Sequence, residues 1–234
     1  MTAELKSTTE GRTMVLTLSN PAQRNALGPA IYAAGIEALN SAEDSDEVRS
    51  VVIVGEGAWF CAGGSLQRLR DNRREPPAVQ AESIDALHSW IDSIRTFPKP
   101  VIAAVEGAAA GAGFSLALAC DFVVAARDAV FAASYSNVAL TPDGGLSWHL
   151  AHALPRQLAD SGQALATALA LAERLNARAP NVLASLKELL GEAPGATLAS
   201  HLVQERDHFV RNLHHPNAGI GIEAFLARET PRYP

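Results

Sequence analysis

The stretch Lys99 to Asp121, KPVIAAVEGAAAGAGFSLALACD, decides the reading of the fold. Pro100 opens an apolar run, Val101 to Val105, with the length and composition of a buried strand. A Gly/Ala loop follows, then an apolar helical run from about Gly113 to Ala119. A strand, a glycine-rich turn and a helix N-terminus, in that order, aim free backbone N–H groups at one spot. Such a spot stabilises negative charge, either a phosphate or a developing oxyanion. A second glycine turn of the same kind lies at Phe60-Cys61-Ala62-Gly63-Gly64. Two amide donors from two separate loops can polarise a carbonyl.

Working outward, Met14 to Leu18 and Val51 to Val54 read as strands, and Phe122 to Ala126 and Val130 to Ala132 as two more. Between them Ile31 to Leu39, Leu66 to Arg74 and Val79 to Ile94 have helical character. The last carries Ile84, Leu87, Ile91 and Ile94 on one stripe. Strands alternating with helices predict crossover units and a mostly parallel sheet. From Leu146 onward only helical patterns are legible, over 146–154, 162–176, 181–190, 197–213 and 219–227. The expected organisation is an α/β core over residues 1–155 and a helical region over 156–234.

Composition narrows the function. The chain has 234 residues, 48% of them hydrophobic and 19% charged, the balance of a globular domain. A net charge of −6 argues against nucleic-acid binding. Cys61 and Cys120 are too few for a disulfide framework and read as buried thiols. The polar start MTAELKSTTEG has no apolar signal core, and Glu106, glycines and Asp121 interrupt the longest apolar stretch. The expected setting is cytoplasmic, with no membrane partner. No His, Cys or carboxylate cluster has ligand spacing, so no metal is expected.

Gly111-Ala112-Gly113 is not a dinucleotide fingerprint, because Leu116 occupies the third glycine position. Gly113-Phe114-Ser115 is nearer a nucleophile elbow, with Asp143 and His149 in triad order but only six residues apart. Asp143 in a Pro-Asp-Gly-Gly turn is either a turn former or an acid/base group. Trp148 and His149 follow on a helix and read as structural or pocket-lining. His214-His215 and the run Arg68, Arg70, Arg73 and Arg74 read as solvated surface; guarding a ligand's phosphates is the other reading of the arginines.

Four ordered motifs carry a resemblance: SNPAQRNAL (19–27), FCAGGSL (60–66), the opening stretch (99–121) and LTPDGG (140–145). Together they are similar to the crotonase, or enoyl-CoA hydratase/isomerase, superfamily. Within it the chain looks like oxepin-CoA hydrolase or epoxyphenylacetyl-CoA isomerase-type members of aromatic degradation. The resemblance implies a spiral of β-β-α units, a C-terminal helical region that forms trimers or pairs of trimers, and an acyl-CoA thioester as substrate. It implies that the Gly64 and Ala112 N–H groups hold the thioester oxygen, flanked by Ala62, Gly63, Leu66 and Gly111. The Asn25-Ala26-Leu27 loop would border coenzyme A, with Arg24 near a phosphate. Phe225 and Arg228 would reach a neighbouring subunit's coenzyme A.

The departures bear on the chemistry. Hydratases of the family carry two glutamates, and here those positions are Ser115 and Tyr135. Neither can serve as a carboxylate base, so hydration by the usual route is not expected. Asp143 stands where some isomerases and dehalogenases place an aspartate, and Ser65 stands where many members have Asp. Leu158-Ala159 also runs directly into Asp160-Ser161-Gly162, where members carry a further segment. The expected activity is enoyl-CoA isomerisation by proton transfer. Hydrolysis or hydration of an unsaturated or ring-derived acyl-CoA, or acyl-CoA binding without catalysis, are the alternatives.

Overall fold

The computed structural model describes residues 3–135, 140–150, 157–195, 211–212 and 215–234. β1 (Glu4–Glu10) and β2 (Thr13–Ser19) form an antiparallel pair. β3 (Ser50–Gly55), β4 (Val101–Val105), β6 (Phe122–Ala126) and β8 (Gln157–Ala159) then add in parallel, in the order β1-β2-β3-β4-β6-β8. A small second sheet pairs β5 (Ala108–Ala110) with β7 (Val130–Ala132). The helices are α1 (Pro29–Glu43), α2 (Leu66–Asn72), α3 (Pro77–Thr96), α4 (Ala112–Ala119), α5 (Leu146–Leu150), α6 (Ala164–Asn176), α7 (Pro180–Glu192) and α8 (Pro216–Ala227).

β4 and β6, and β3 from Val51 to Val54, are apolar at every position because both faces of the sheet are covered. Their side chains alternate between two cores. Val51, Ile53, Val101, Ala103, Val105, Val123 and Ala125 belong to the larger core, with Ile31, Leu39, Trp90, Ile94 and Leu116 from α1, α3 and α4. Val52, Val54, Ile102, Ala104 and Val124 face the other way, toward α6. That helix meets the sheet with Ala164, Ala168 and Ala172, all fully buried at four-residue spacing, so its backbone can lie close. Across the larger core α1 and α3 are also in close contact. A Cβ at Gly35 would lie 2.2 Å from the Trp90 indole nitrogen.

Several elements differ from the sequence expectation. β1 was not legible, because its residues are mostly exposed and polar; pairing with β2 makes it a strand. β5 sits inside what reads as a Gly/Ala loop. Its three alanines have little strand propensity, but they pair with β7 and lie against the 60–61 segment. β8 lies in the part expected to be helical. It is short, and it exists through its pairing with β6.

The α/β core therefore does not stop at residue 155. β8 completes the main sheet, and α6 covers one face of it. Glu106, which in sequence merely interrupts an apolar run, fastens this junction. Its carboxylate accepts the Gly162 N–H at 2.9 Å and the Ala164 N–H at the start of α6, a favourable place for negative charge. Most of the helix expected over 197–213, and the end of the one expected over 146–154, lie outside the described residues. No described helix is long and apolar enough to cross a membrane.

Candidate active site

The loop at 60–64 is held between two partners. On one side Phe60 N–H donates to the Glu106 carbonyl and Cys61 N–H to the Ala108 carbonyl, while the Ala110 N–H donates to the Cys61 carbonyl. On the other, Ala62 N–H donates to the Arg24 carbonyl and Leu27 N–H to the Gly63 carbonyl at 2.8 Å. The Gly64 N–H has no backbone acceptor among the described residues. A Cβ placed on Gly64 would meet nothing within 4 Å. The Ala112 N–H, first in α4, likewise has no described backbone acceptor, as expected at a helix start. The two turns touch: a Cβ at Gly63 would lie 3.1 Å from the Ala112 nitrogen. Two unengaged amides on contacting loops can receive an oxygen that is gaining negative charge.

Glycine is required at the contact. Gly63 has φ +92°, and a Cβ there would come within 2.7 Å of the Ala110 carbonyl oxygen. Gly113 has no room either, with Cys61 Sγ at 2.7 Å from its Cβ position. The Cys61 thiol is fully buried, and burial pushes its pKa up to about 12, so it is an inert packing group.

The other half of the site is made of side chains. The Tyr135 hydroxyl donates to Asp143 Oδ1 at 2.6 Å. Ser115 Oγ donates to the Asp143 backbone carbonyl at 2.9 Å and lies 3.2 Å from the Tyr135 hydroxyl. The Gly144 N–H donates to His88 Nε2 at 3.3 Å. Gly144 and Gly145 have positive φ, +58° and +74°, and this carries the Asp143 turn down onto α4. Tyr135 also closes the gap to the amide loops, since a Cβ at Gly111 would lie 3.9 Å from its ring. Burial, and then the adjoining Asp143 carboxylate, raise the Tyr135 pKa, so the phenol stays protonated and donating.

The structure thus joins Gly64, Gly111, Ala112, Ser115, Tyr135 and Asp143 in one site. Ser115 is fully buried and donates to a backbone carbonyl, an arrangement unlike the exposed serine of a nucleophile elbow. The Asn25 side chain turns inward, away from the surface of the 25–27 loop. Its side chain is fully buried, donates to the Glu56 carbonyl at 3.0 Å and the Trp59 carbonyl at 2.7 Å, and accepts the Asn20 N–H. It pins the 20–27 loop against the 56–60 segment and so acts on the backbone of the site. Ala26 and Leu27 are buried beside it.

Arg24 is exposed, with its guanidinium 4.9 Å over the Trp59 ring, and Ala62 and Leu66 are exposed at the rim. Arg228 ends α8 in left-handed backbone and is exposed, with no described contact to the amide loops. The side chains of Phe225 and Trp148 and the whole of His214 lie outside the described residues. His149 is buried beneath Gly145. Arg70, Arg73 and Arg74 are exposed, as a solvated face requires, but Arg68 is half-buried against Tyr32. His88 and Tyr32 escaped the sequence reading, although His88 follows Leu87 on the apolar stripe of α3. Among the described residues no three His, Cys, Asp or Glu side chains converge as a metal site would need.

Comparison with known proteins fits this geometry. The sequence model of the Enoyl-CoA hydratase/isomerase family matches residues 8–163, and the chain belongs to that family, within the crotonase superfamily. A crystal structure of an enoyl-CoA hydratase from Polaromonas sp. JS666 is 63% identical and superposes with a TM-score of 0.96, covering 99% of this chain and 100% of that one. The 1,2-epoxyphenylacetyl-CoA isomerase of Escherichia coli (strain K12) is 30% identical over 246 aligned positions, covering 94% of each chain. The 2,3-dehydroadipyl-CoA hydratase of the same organism is 29% identical, covering 99% of this chain and 98% of that protein. The isomerase alignment is longer than this chain's 234 residues, so it contains positions that this chain lacks.

Proposed function

We propose that this protein is an acyl-CoA enzyme that stabilises a thioester enolate and moves a proton, most simply in the isomerisation of an unsaturated or ring-derived acyl-CoA. The observation that carries this reading is Asp143, the carboxylate held by Tyr135 beside the Gly111 turn. The Gly64 and Ala112 amides receive the thioester oxygen as the α-proton leaves. Asp143 takes that proton and returns it two carbons further along the chain, which shifts the double bond. Tyr135 steadies the carboxylate between the two transfers.

At the mouth, Ala62, Gly63, Leu66 and Gly111 border the thioester, and Arg24 on Trp59 is placed for a coenzyme A phosphate. Phe225 and Arg228 contribute from a neighbouring subunit in a homotrimer or hexamer. Val182, Leu186 and Leu190, exposed at four-residue spacing on α7, are apolar surface for such an assembly to cover. Coenzyme A enters as part of the substrate, and the reaction needs no further cofactor.

The test is turnover of 3-enoyl- and 2-enoyl-CoA thioesters by the wild type and by Asp143→Asn. The variant is expected to lose about 10²–10⁴-fold in kcat while still binding thioester. Undiminished turnover in the variant would remove Asp143 from the mechanism. Thioester binding with no turnover in the wild type would mark a non-catalytic acyl-CoA binder.

A further inference from the structure

Arg68 is unlike the other arginines of its run. It lies on the first turn of α2, where Ser65 Oγ accepts its backbone N–H, and one turn beyond the Gly64 amide. Its Nε and Nη1 are shut away from solvent and have no hydrogen-bond partner among the described residues. Nη2 reaches the Tyr32 hydroxyl at a long 3.4 Å, and the guanidinium sits 5.9 Å over the Tyr32 ring. Gly28 makes room for it, since a Cβ there would lie 3.3 Å from Nη1. Gly28 follows Leu27, which bridges to Gly64, so the notch adjoins the amide loops.

A charged guanidinium with two nitrogens closed to water and lacking acceptors is costly to maintain. An arriving anion with planar oxygens would satisfy it. The Tyr32 hydroxyl, which accepts from Nη2, retains its own proton to donate. Building on the acyl-CoA reading above, we infer that the Arg68–Tyr32–Gly28 notch binds a carboxylate carried on the acyl chain, so that the substrate class is a dicarboxylic acyl-CoA. The phosphates of coenzyme A are the other anion available. They suit Arg24, which is exposed at the rim, better than nitrogens closed to solvent.

The experiment is calorimetric binding of succinyl-, glutaryl- and adipoyl-CoA, each paired with the butyryl-, valeryl- or hexanoyl-CoA of equal length, and of free coenzyme A. These saturated thioesters make the measurement independent of turnover. The wild type is expected to favour at least one dicarboxylic member by about tenfold or more over its partner. Arg68→Gln is expected to abolish that preference while leaving the uncharged thioesters and free coenzyme A within about threefold. Arg68→Lys, which keeps the charge but not the planar fork, should retain only part of it. Equal wild-type binding within every pair overturns the inference while leaving the acyl-CoA reading intact, and it needs no variant to fold. Weakening of free coenzyme A and all thioesters alike in Arg68→Gln also overturns it, assigning the guanidinium to a phosphate. Failure of every thioester to bind overturns the acyl-CoA reading, and this inference with it.

Discussion

The two halves of the site are built from different materials. The 61–64 and 111–113 loops present backbone amides, and their own side chains contribute little beyond being small. The opposite half, Ser115, Tyr135, Asp143 and His88, is a hydrogen-bonded group of side chains brought from α4, the segment after β7, the turn before α5, and α3. At Gly63 and Gly113 the amide half allows almost no change, because carbonyls and a thiol fill the space where a Cβ would go. The side-chain half carries Ser115 and Tyr135 where the family resemblance places the glutamate pair of hydratases. Chemistry within the fold can therefore vary on one side while carbonyl polarisation stays fixed on the other.

If that division is right, damage to the amide half should appear first as lost stability. Gly63→Ala forces a Cβ against the Ala110 carbonyl at a φ of +92°. It is expected to cost about 3 kcal/mol and to weaken thioester binding, read by thermal melts and calorimetry. A fully stable Gly63→Ala would break the comparison.

Asn25→Ala leaves the Glu56 and Trp59 carbonyls unpaired and is expected to cost about 2 kcal/mol in denaturant melts. Binding by the protein that remains folded should be close to normal. A large binding defect at normal stability would instead return Asn25 to direct substrate contact.

On the side-chain half, Tyr135→Phe removes one hydrogen bond to a charged carboxylate. Turnover should fall about tenfold with little change in melting temperature. An unfolded Tyr135→Phe would make the two halves equally structural.

The gentlest probe is alkaline pH. Burial raises the pKa of Cys61, Cys120, Tyr32 and Tyr135. These groups keep their protons to higher pH in the folded chain, so the unfolded chain releases protons first. Their contribution is intact below a thiol's ordinary value of 9.0 and is lost as pH rises above it, Cys61 titrating only at about 12 when folded. Urea midpoints should therefore hold from pH 7 to 8.5 on account of these groups and fall by pH 10. Neither thiol should react with an alkylating agent before unfolding.

Much of this was legible in the chain. The β4–turn–α4 segment carries a strong local signal, and so do the second glycine turn, the parallel α/β core and Asp143 in its turn. Hydrophobic runs, glycines and helix starts are written in neighbouring residues. What was not legible depends on partners distant in sequence. Three consecutive alanines are a strand only because β7 runs beside them, and β8 only because β6 does. Glu106 holds the first N–H of α6 from 58 residues away. Arg68 resembles its three exposed neighbours in sequence, yet Gly28 and Tyr32 close over it.

By itself, then, the sequence determined the class of the fold, the two amide-bearing turns and the absence of a carboxylate at Ser115 and Tyr135, because those properties reside in local residue type and order. Only the tertiary structure decided that Asn25 serves the backbone, that Tyr135 and Ser115 hold Asp143, and that one arginine of four is withdrawn from water. Burial and hydrogen-bond geometry belong to pairs of surfaces, and folding alone sets which surfaces meet.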